Sequence, residues 1–297
     1  MLRAVNAIFY IMTTTNPTLA TDQSVDALIK TIRIPPRPSL LADVQAELAL
    51  DDPDPKRLAS VIAHDVAMSA SLLKLANSPF FGLRLKAKSV DHAVNLLGLK
   101  QCGVLLTGII ARQTVQIEKV SLVKFWDFSA KRAQAMSQFA RRLRVCPVDV
   151  AHTFGLFCDI GIPLLLERFP DYPQTLEMAN QCLTDKFTVV EQERHATSHT
   201  AIGSLLSRTW GLQEEVTTAI LLHHDYAVLD DSGTDDRVRS LIALSLLAEY
   251  GIIRYHGEEY STEWEKGGQL ASHFLGLSTD EIEDLFEELH ELLNKSH

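Results

Sequence analysis

Apolar residues along this chain recur three and four positions apart, and strict alternation is nearly absent. That is the period of amphipathic helices, so the fold class expected is all-α. A helical start over residues 26–34 stops at Pro35-Pro36-Arg37-Pro38, which cannot sit inside a helix. Ser39 is suited to cap the next helix, with Leu40, Leu41, Val44 and Leu48 on its apolar face. Asp54 or Pro55 starts a further run. There Leu58, Val61 and Ile62, then Met68, Leu72, Leu73 and Leu75 beyond Asp65, continue the period to a stop at Asn77-Ser78-Pro79. Ser89 opens 90–97, Gly98 interrupts, and 104–110 resumes. Residues 124–144 predict one long helix ending before Cys146-Pro147.

The most informative stretch follows. AHTFGLFCDIGIPLLL, residues 151–166, reads as one apolar helix carrying a single acid, Asp159. On such a helix His152 and Asp159 are seven residues apart and share a face, with Leu156 between them. Residues 189–210 predict a helix holding His195 and His199 at the i, i+4 spacing of a zinc pair, with Gly211 as its stop. Residues 214–224 end on the pair His223-His224. An exposed acidic loop at 230–236 precedes a core helix at 238–250, and 258–268 reads as polar and irregular. Ser278 and Glu281 form a capping-box pattern ahead of Ile282, Leu285, Phe286, Leu289, Leu292 and Leu293.

Length changes the picture only by allowing one large core or two lobes that share an interface: the chain has 297 residues. A net charge of −10 argues against a general nucleic-acid surface, though not against a local basic pocket. Lys131, Arg132, Arg141, Arg142 and Arg144 are the most basic stretch, read either as a solvated helix face or as a docking surface for an acidic partner. Cys102, Cys146, Cys158 and Cys182 include no C-x-x-C, as expected of free thiols in a reducing cytoplasm. The apolar run 4–12 is too short to span a bilayer, and no other segment reads as a span. Met12 is the expected biological start, with 1–21 a disordered leader.

A buried unpaired carboxylate is costly, so Asp159 needs a metal, a cation or several donors. The plain reading is a structural strut tied to helix N–H groups or to a histidine. HATSH lacks the glutamate of H-E-x-x-H, which weakens a zinc reading for His195. Cys158 reads as packing or as a sensing thiol, and Asn77 as a helix cap or a tie between lobes.

Several ordered blocks resemble the HDOD domain, the HD-related output domain of bacterial signalling proteins. PPRPSLLADVQ, DVAMSASLLKLANSPFFGL and SVDHAVNLLGLKQCGVLL are similar to its first half. FWDFSAKRAQAMSQFARRL, FGLFCDIGIPLL and HTAIGSLLSRTWGLQEEVTTAILLHHD are similar to its second half, and the resemblance as a whole spans roughly residues 28–225. The resemblance implies an all-helical N-terminal lobe at 22–120 packed on a degenerate HD-like lobe at 121–297 with a C-terminal helical extension. HD phosphohydrolases hold metal ions on a first His, a His-Asp pair and a later Asp. By the resemblance, Phe128 stands at the first position and Cys158 at the His of the pair, while Asp159 is kept. The later acid falls in the apolar run near Leu244–Glu249, without a firm match to one carboxylate. His199, His223 and His224 match metal-binding positions of the HD-GYP phosphodiesterases, though no Gly-Tyr-Pro follows.

The remnant pocket implied is therefore Phe128, His152, Cys158, Asp159, His199, His223 and His224, with Asp159 and His199, His223 and His224 as the set for any divalent metal. Phe128 offers no ligand, and bridging two hard cations needs more oxygen donors than remain. The function expected is a non-catalytic signalling module, acting through protein contacts, with Arg141, Arg142 and Arg144 as one surface, or through a nucleotide or phosphate ligand in the pocket. The alternatives are a residual metal-dependent phosphohydrolase and a nucleotide sensor without hydrolysis.

Overall fold

The computed structural model describes residues 31–117 and 121–295, all helix and connecting turn with no strand among them. The leader at 1–21 and most of the helix expected at 26–34 lie outside the described residues; by Ile32 the chain has left the helix. The first group of helices is α1 Ser39–Leu48, α2 Pro55–Ala63, α3 Val66–Ala76, α4 Val90–Leu97 and α5 Leu99–Thr114. Local chemistry sets several of their ends. Asp54 accepts from the Lys56 N–H at the start of α2, Asp65 from Met68 at α3, and Ser89 from His92 at α4. The run from 58 to 75 is thus two helices broken at His64-Asp65. Ser39 sits inside α1 and makes no cap bond, since Pro38 precedes the helix. Asn77 ties neither lobe to the other. Its amide closes the 78–87 loop by bonding both the N–H and the C=O of Ala87.

The second group begins with the long α6, Val123–Leu143, and α7, Val148–Phe157. Then come α8 Gly161–Arg168, α9 Tyr172–Gln181, α10 Phe187–His195, α11 His199–Thr209, α12 Glu214–Leu222 and α13 Asp236–Tyr255. The chain ends in α14 Thr262–Leu275 and α15 Thr279–Lys295. Helix α13 is the spine of the core, with Leu241, Ile242, Ala243 and Leu244 fully buried. It packs on α6, α12, α14 and α15, while α5 meets α7 across the seam between the groups. The capping box holds: the Glu281 carboxylate accepts from Ser278 N–H at 2.9 Å, and Ser278 Oγ accepts from Glu281 N–H at 3.3 Å.

Four expectations need correction. The apolar segment 151–166 is not one helix; it turns at Cys158–Ile160, between α7 and α8. The 189–210 helix is also two, because Ala196 takes a left-handed backbone (φ 54°) and Ser198 caps α11. Of the polar stretch 258–268, residues 262–268 form the first half of α14, whose Gly267 and Gly268 let Tyr226 and Trp264 approach closer than a Cβ would allow. Arg132, expected in a solvated basic face, is fully buried. Val148–Arg168 is long and apolar enough to cross a membrane by length and composition, yet 72% of that window is buried inside the protein.

Candidate metal centre

The turn at Cys158–Ile160 is what presents Asp159. Released from the helix ladder, its carboxylate faces the N-terminus of α11 and the C-terminal end of α12. Two glycines make this possible. A Cβ on Gly161 would lie 2.0 Å from the His199 carbonyl oxygen, and one on Gly203 3.2 Å from the Gly161 nitrogen. Helices α8 and α11 therefore touch backbone to backbone, which fixes Asp159 beside His199.

Asp159, His199, His223 and His224 offer ligand atoms all within 4.8 Å of one another, a group that could hold a metal ion. Asp159 Oδ1 lies 3.4 Å from His199 Nε2 and 3.3 Å from His223 Nε2, and the two Nε2 atoms are 3.3 Å apart. A tetrahedral ion with bonds of roughly 2.0–2.1 Å spaces its ligands by about 3.3 Å, so these three separations fit.

The imidazoles are oriented for the task by outer partners. His199 Nδ1 is 2.8 Å from the buried Glu191 carboxylate, His223 Nδ1 2.8 Å from the Ile220 carbonyl, and His224 Nδ1 2.7 Å from Glu263. All three partners only accept, so each Nδ1 carries the proton, and the Nε2 atoms of His199 and His223 are turned to Asp159. Glu191 is itself held by the Tyr172 hydroxyl and the His199 N–H; Glu263 by the Tyr226 hydroxyl and Lys266. Phe187 walls the group, stacked on His224 with centroids 4.6 Å apart.

Arg132 supplies the remaining charge. Its Nη1 donates to Asp159 at 2.5 Å and to Glu249 at 2.8 Å, and its Nε donates to the Gly155 carbonyl. Nη2 is buried without a hydrogen-bond partner among the described residues. Burial works against the Asp159 charge, but Arg132 and the facing histidines hold its carboxyl well below the usual range. Burial raises Glu249, helped by Asp159 and opposed by Arg132. His199 is also disfavoured as a cation by burial, yet Glu191 and Asp159 lift it to about 10. Burial and the neighbouring imidazoles hold His224 down to about 4 against the pull of Glu263. Metal binding at this group would expel the second His199 proton.

The sequence-predicted residues divide. Phe128 lines the mouth of a cavity of about 610 Å³ that opens on Asp159, His199, His224 and Glu249; it is half-buried and not a core aromatic. Cys158 is buried with its thiol pushed well up by burial, and it is not in the ligand group. His152 does not join Asp159. The break after α7 separates them, and His152 bonds Ser137 at 3.0 Å and faces Phe80. His195 stacks on Phe169 and bonds Thr175, away from His199. Arg141, Arg142 and Arg144 are exposed at the end of α6, with Arg142 3.6 Å from Glu288 of α15. Sequence reasoning missed Arg132, Glu191, Glu249 and Glu263. The signal available for Arg132 and Glu249 was the one that marked Asp159, a charge amid small or apolar residues.

Comparison with known proteins is consistent with this architecture. The HDOD domain family matches residues 34–226. A curated, uncharacterised protein of Treponema pallidum is 26% identical over 208 residues, 65% of this chain; the chain spans only 38% of that protein's length. A candidate signal transduction protein from Marinobacter aquaeolei superposes with a TM-score of 0.71 at 19% identity, covering 92% of this chain and 63% of its own. An HDOD domain protein of unknown function from Geobacter sulfurreducens gives 0.68 at 18% identity, covering 92% and 96%. A candidate phosphohydrolase from Shewanella amazonensis gives 0.68 at 20%, covering 92% and 94%.

Proposed function

The chain belongs to the HDOD family, and from that membership we propose that it is a regulatory module that has kept one metal position of the HD site and lost hydrolysis. The observation that carries this is the Arg132 guanidinium on Asp159 and Glu249. A fixed cation lies against both acids, where a second divalent ion would need them as ligands. One carboxylate and three imidazoles suit a single borderline ion such as zinc and not a hard one such as magnesium. Such an ion supplies charge and rigidity at the junction of α8, α11 and α12. The chain's own residues orient the donors, and Phe187 stacks on His224 beside them. Output passes to a signalling protein, for which Arg141, Arg142 and Arg144 offer a basic face.

Elemental analysis of protein purified without a metal-affinity tag tests the metal position. About one transition-metal ion per chain is expected, lost in Asp159→Asn with His223→Gln. No turnover of bis-nitrophenyl phosphate is expected with added manganese or zinc. Two ions per chain, no ion at all, or turnover abolished by Asp159→Ala would each sink the proposal. The rival, a residual phosphohydrolase, is favoured by the cavity opening on the cluster, and the turnover assay decides between them.

A further inference from the structure

A second cavity, of about 680 Å³, lies across the seam where α3 and α5 of the first group meet α6 and α7 of the second. None of its lining residues lines the cavity beside Asp159. Its walls are Phe80, Phe81, Leu105, Ile109, Trp126 and Leu156, and no aspartate or glutamate is among its lining residues. At the mouth stand Lys74 and Arg112, exposed, with no ion pair to either among the described residues. Cations over an apolar chamber with no acid among its described lining residues favour an anion, because none of those residues neutralises them.

The floor adds an independent constraint. His152 is 7% exposed and lines this cavity. Ser137 Oγ spends its hydrogen on the Ala133 carbonyl at 2.7 Å, so it must accept from His152 Nδ1 at 3.0 Å. The neutral ring then presents Nε2 as a lone-pair acceptor. No hydrogen-bond partner for Nε2 occurs among the described residues. Nε2 is not among the sealed polar atoms that lack a partner, so its lone pair is open to the cavity and can accept from a ligand there. Volume and lining are those of small-molecule sites.

We propose that this seam cavity binds an amphipathic organic anion: an aromatic body between Phe80, Phe81 and Trp126, an acidic group at Lys74 and Arg112, and an O–H or N–H donated to His152 Nε2. The site needs no metal and does not depend on the fate of the Asp159 cluster. A ligand held there touches both helical groups at once, which suits a sensor.

Anilinonaphthalene sulfonate has all three features, and N-phenylnaphthylamine has the same body and N–H without the anion. Fluorescence titration of the full chain should show one saturable site per chain for each. Lys74→Glu with Arg112→Glu, both at exposed positions, should weaken the sulfonate by roughly tenfold or more while leaving the neutral probe within about twofold. Ala130→Trp, on the exposed rim of the cavity, should abolish both. Nitrogen NMR should show the His152 Nε2 resonance move on saturation. Sulfonate binding unchanged by the charge reversal, survival of both probes in Ala130→Trp with native circular dichroism, or a stationary Nε2 resonance would overturn the proposal.

Discussion

Two phenylalanines show how much a side chain's surroundings decide its worth. Phe157 is fully buried against Trp210, so Phe157→Ala should cost about 3 to 5 kcal/mol in urea unfolding. Phe128 is half-buried, with the Arg132 guanidinium 5.6 Å from its ring centroid. Phe128→Ala should therefore cost only about 1 to 2 kcal/mol; a loss equal to that of Phe157→Ala would contradict the described exposure. His152 sets a pH dependence. Burial lowers it from 6.5 to about 4 in the folded chain. Below the unfolded value the unfolded chain takes up a proton that the folded chain refuses, so stability present above about 6.5 is lost as pH falls toward 4. The full difference is about 3 kcal/mol. His152→Gln should flatten the stability profile across that interval relative to the parent, and parallel profiles would refute the assignment.

Among the elements, the junction of α10 and α11 is the informative one. Ala196 occupies left-handed backbone at φ 54°, a conformation that disfavours any side chain. Ala196→Gly should stabilise by about 0.5 to 1 kcal/mol, seen as a higher urea midpoint; a lower midpoint would mean the backbone is not held there. The same junction shows what the sequence could and could not disclose. The helical period was plain, and so were ends with their own chemistry, such as Asp54, Ser89 and the Ser278–Glu281 box. Asp65 and Ser198 likewise mark the breaks within 58–75 and 189–210, whereas the break within 151–166 carries no such mark. Nothing local announces that 151–166 turns at Asp159, because that turn is imposed by the α8–α11 contact through Gly161 and Gly203. His152 and His195 were consequently placed with the wrong neighbours. Glu191 and Glu263 reach the histidines only through the assembled fold, and α14 hid behind a glycine pair that serves packing.

For the whole molecule, the two helical groups enclose two chambers of different character, one acid-free at the seam and one rich in carboxylates and imidazoles within the second group. Helix α7 reaches both: His152 lines the first, and the turn just after it carries Asp159 to the second. The main-chain contact at Gly161 makes that second arrangement stiff. Gly161→Ala should cost about 1 to 3 kcal/mol, since its methyl would meet the His199 carbonyl and not a yielding side chain; unchanged melting would show that the helices can part. The span between the Asp159 carboxylate and the His199 imidazole is accordingly framed by crossing peptides, which limits how far it can stretch for the proposed ion. Selection by ionic radius follows: zinc should outcompete the larger cadmium in competitive dialysis, and levering the helices apart with that one methyl should erode the preference.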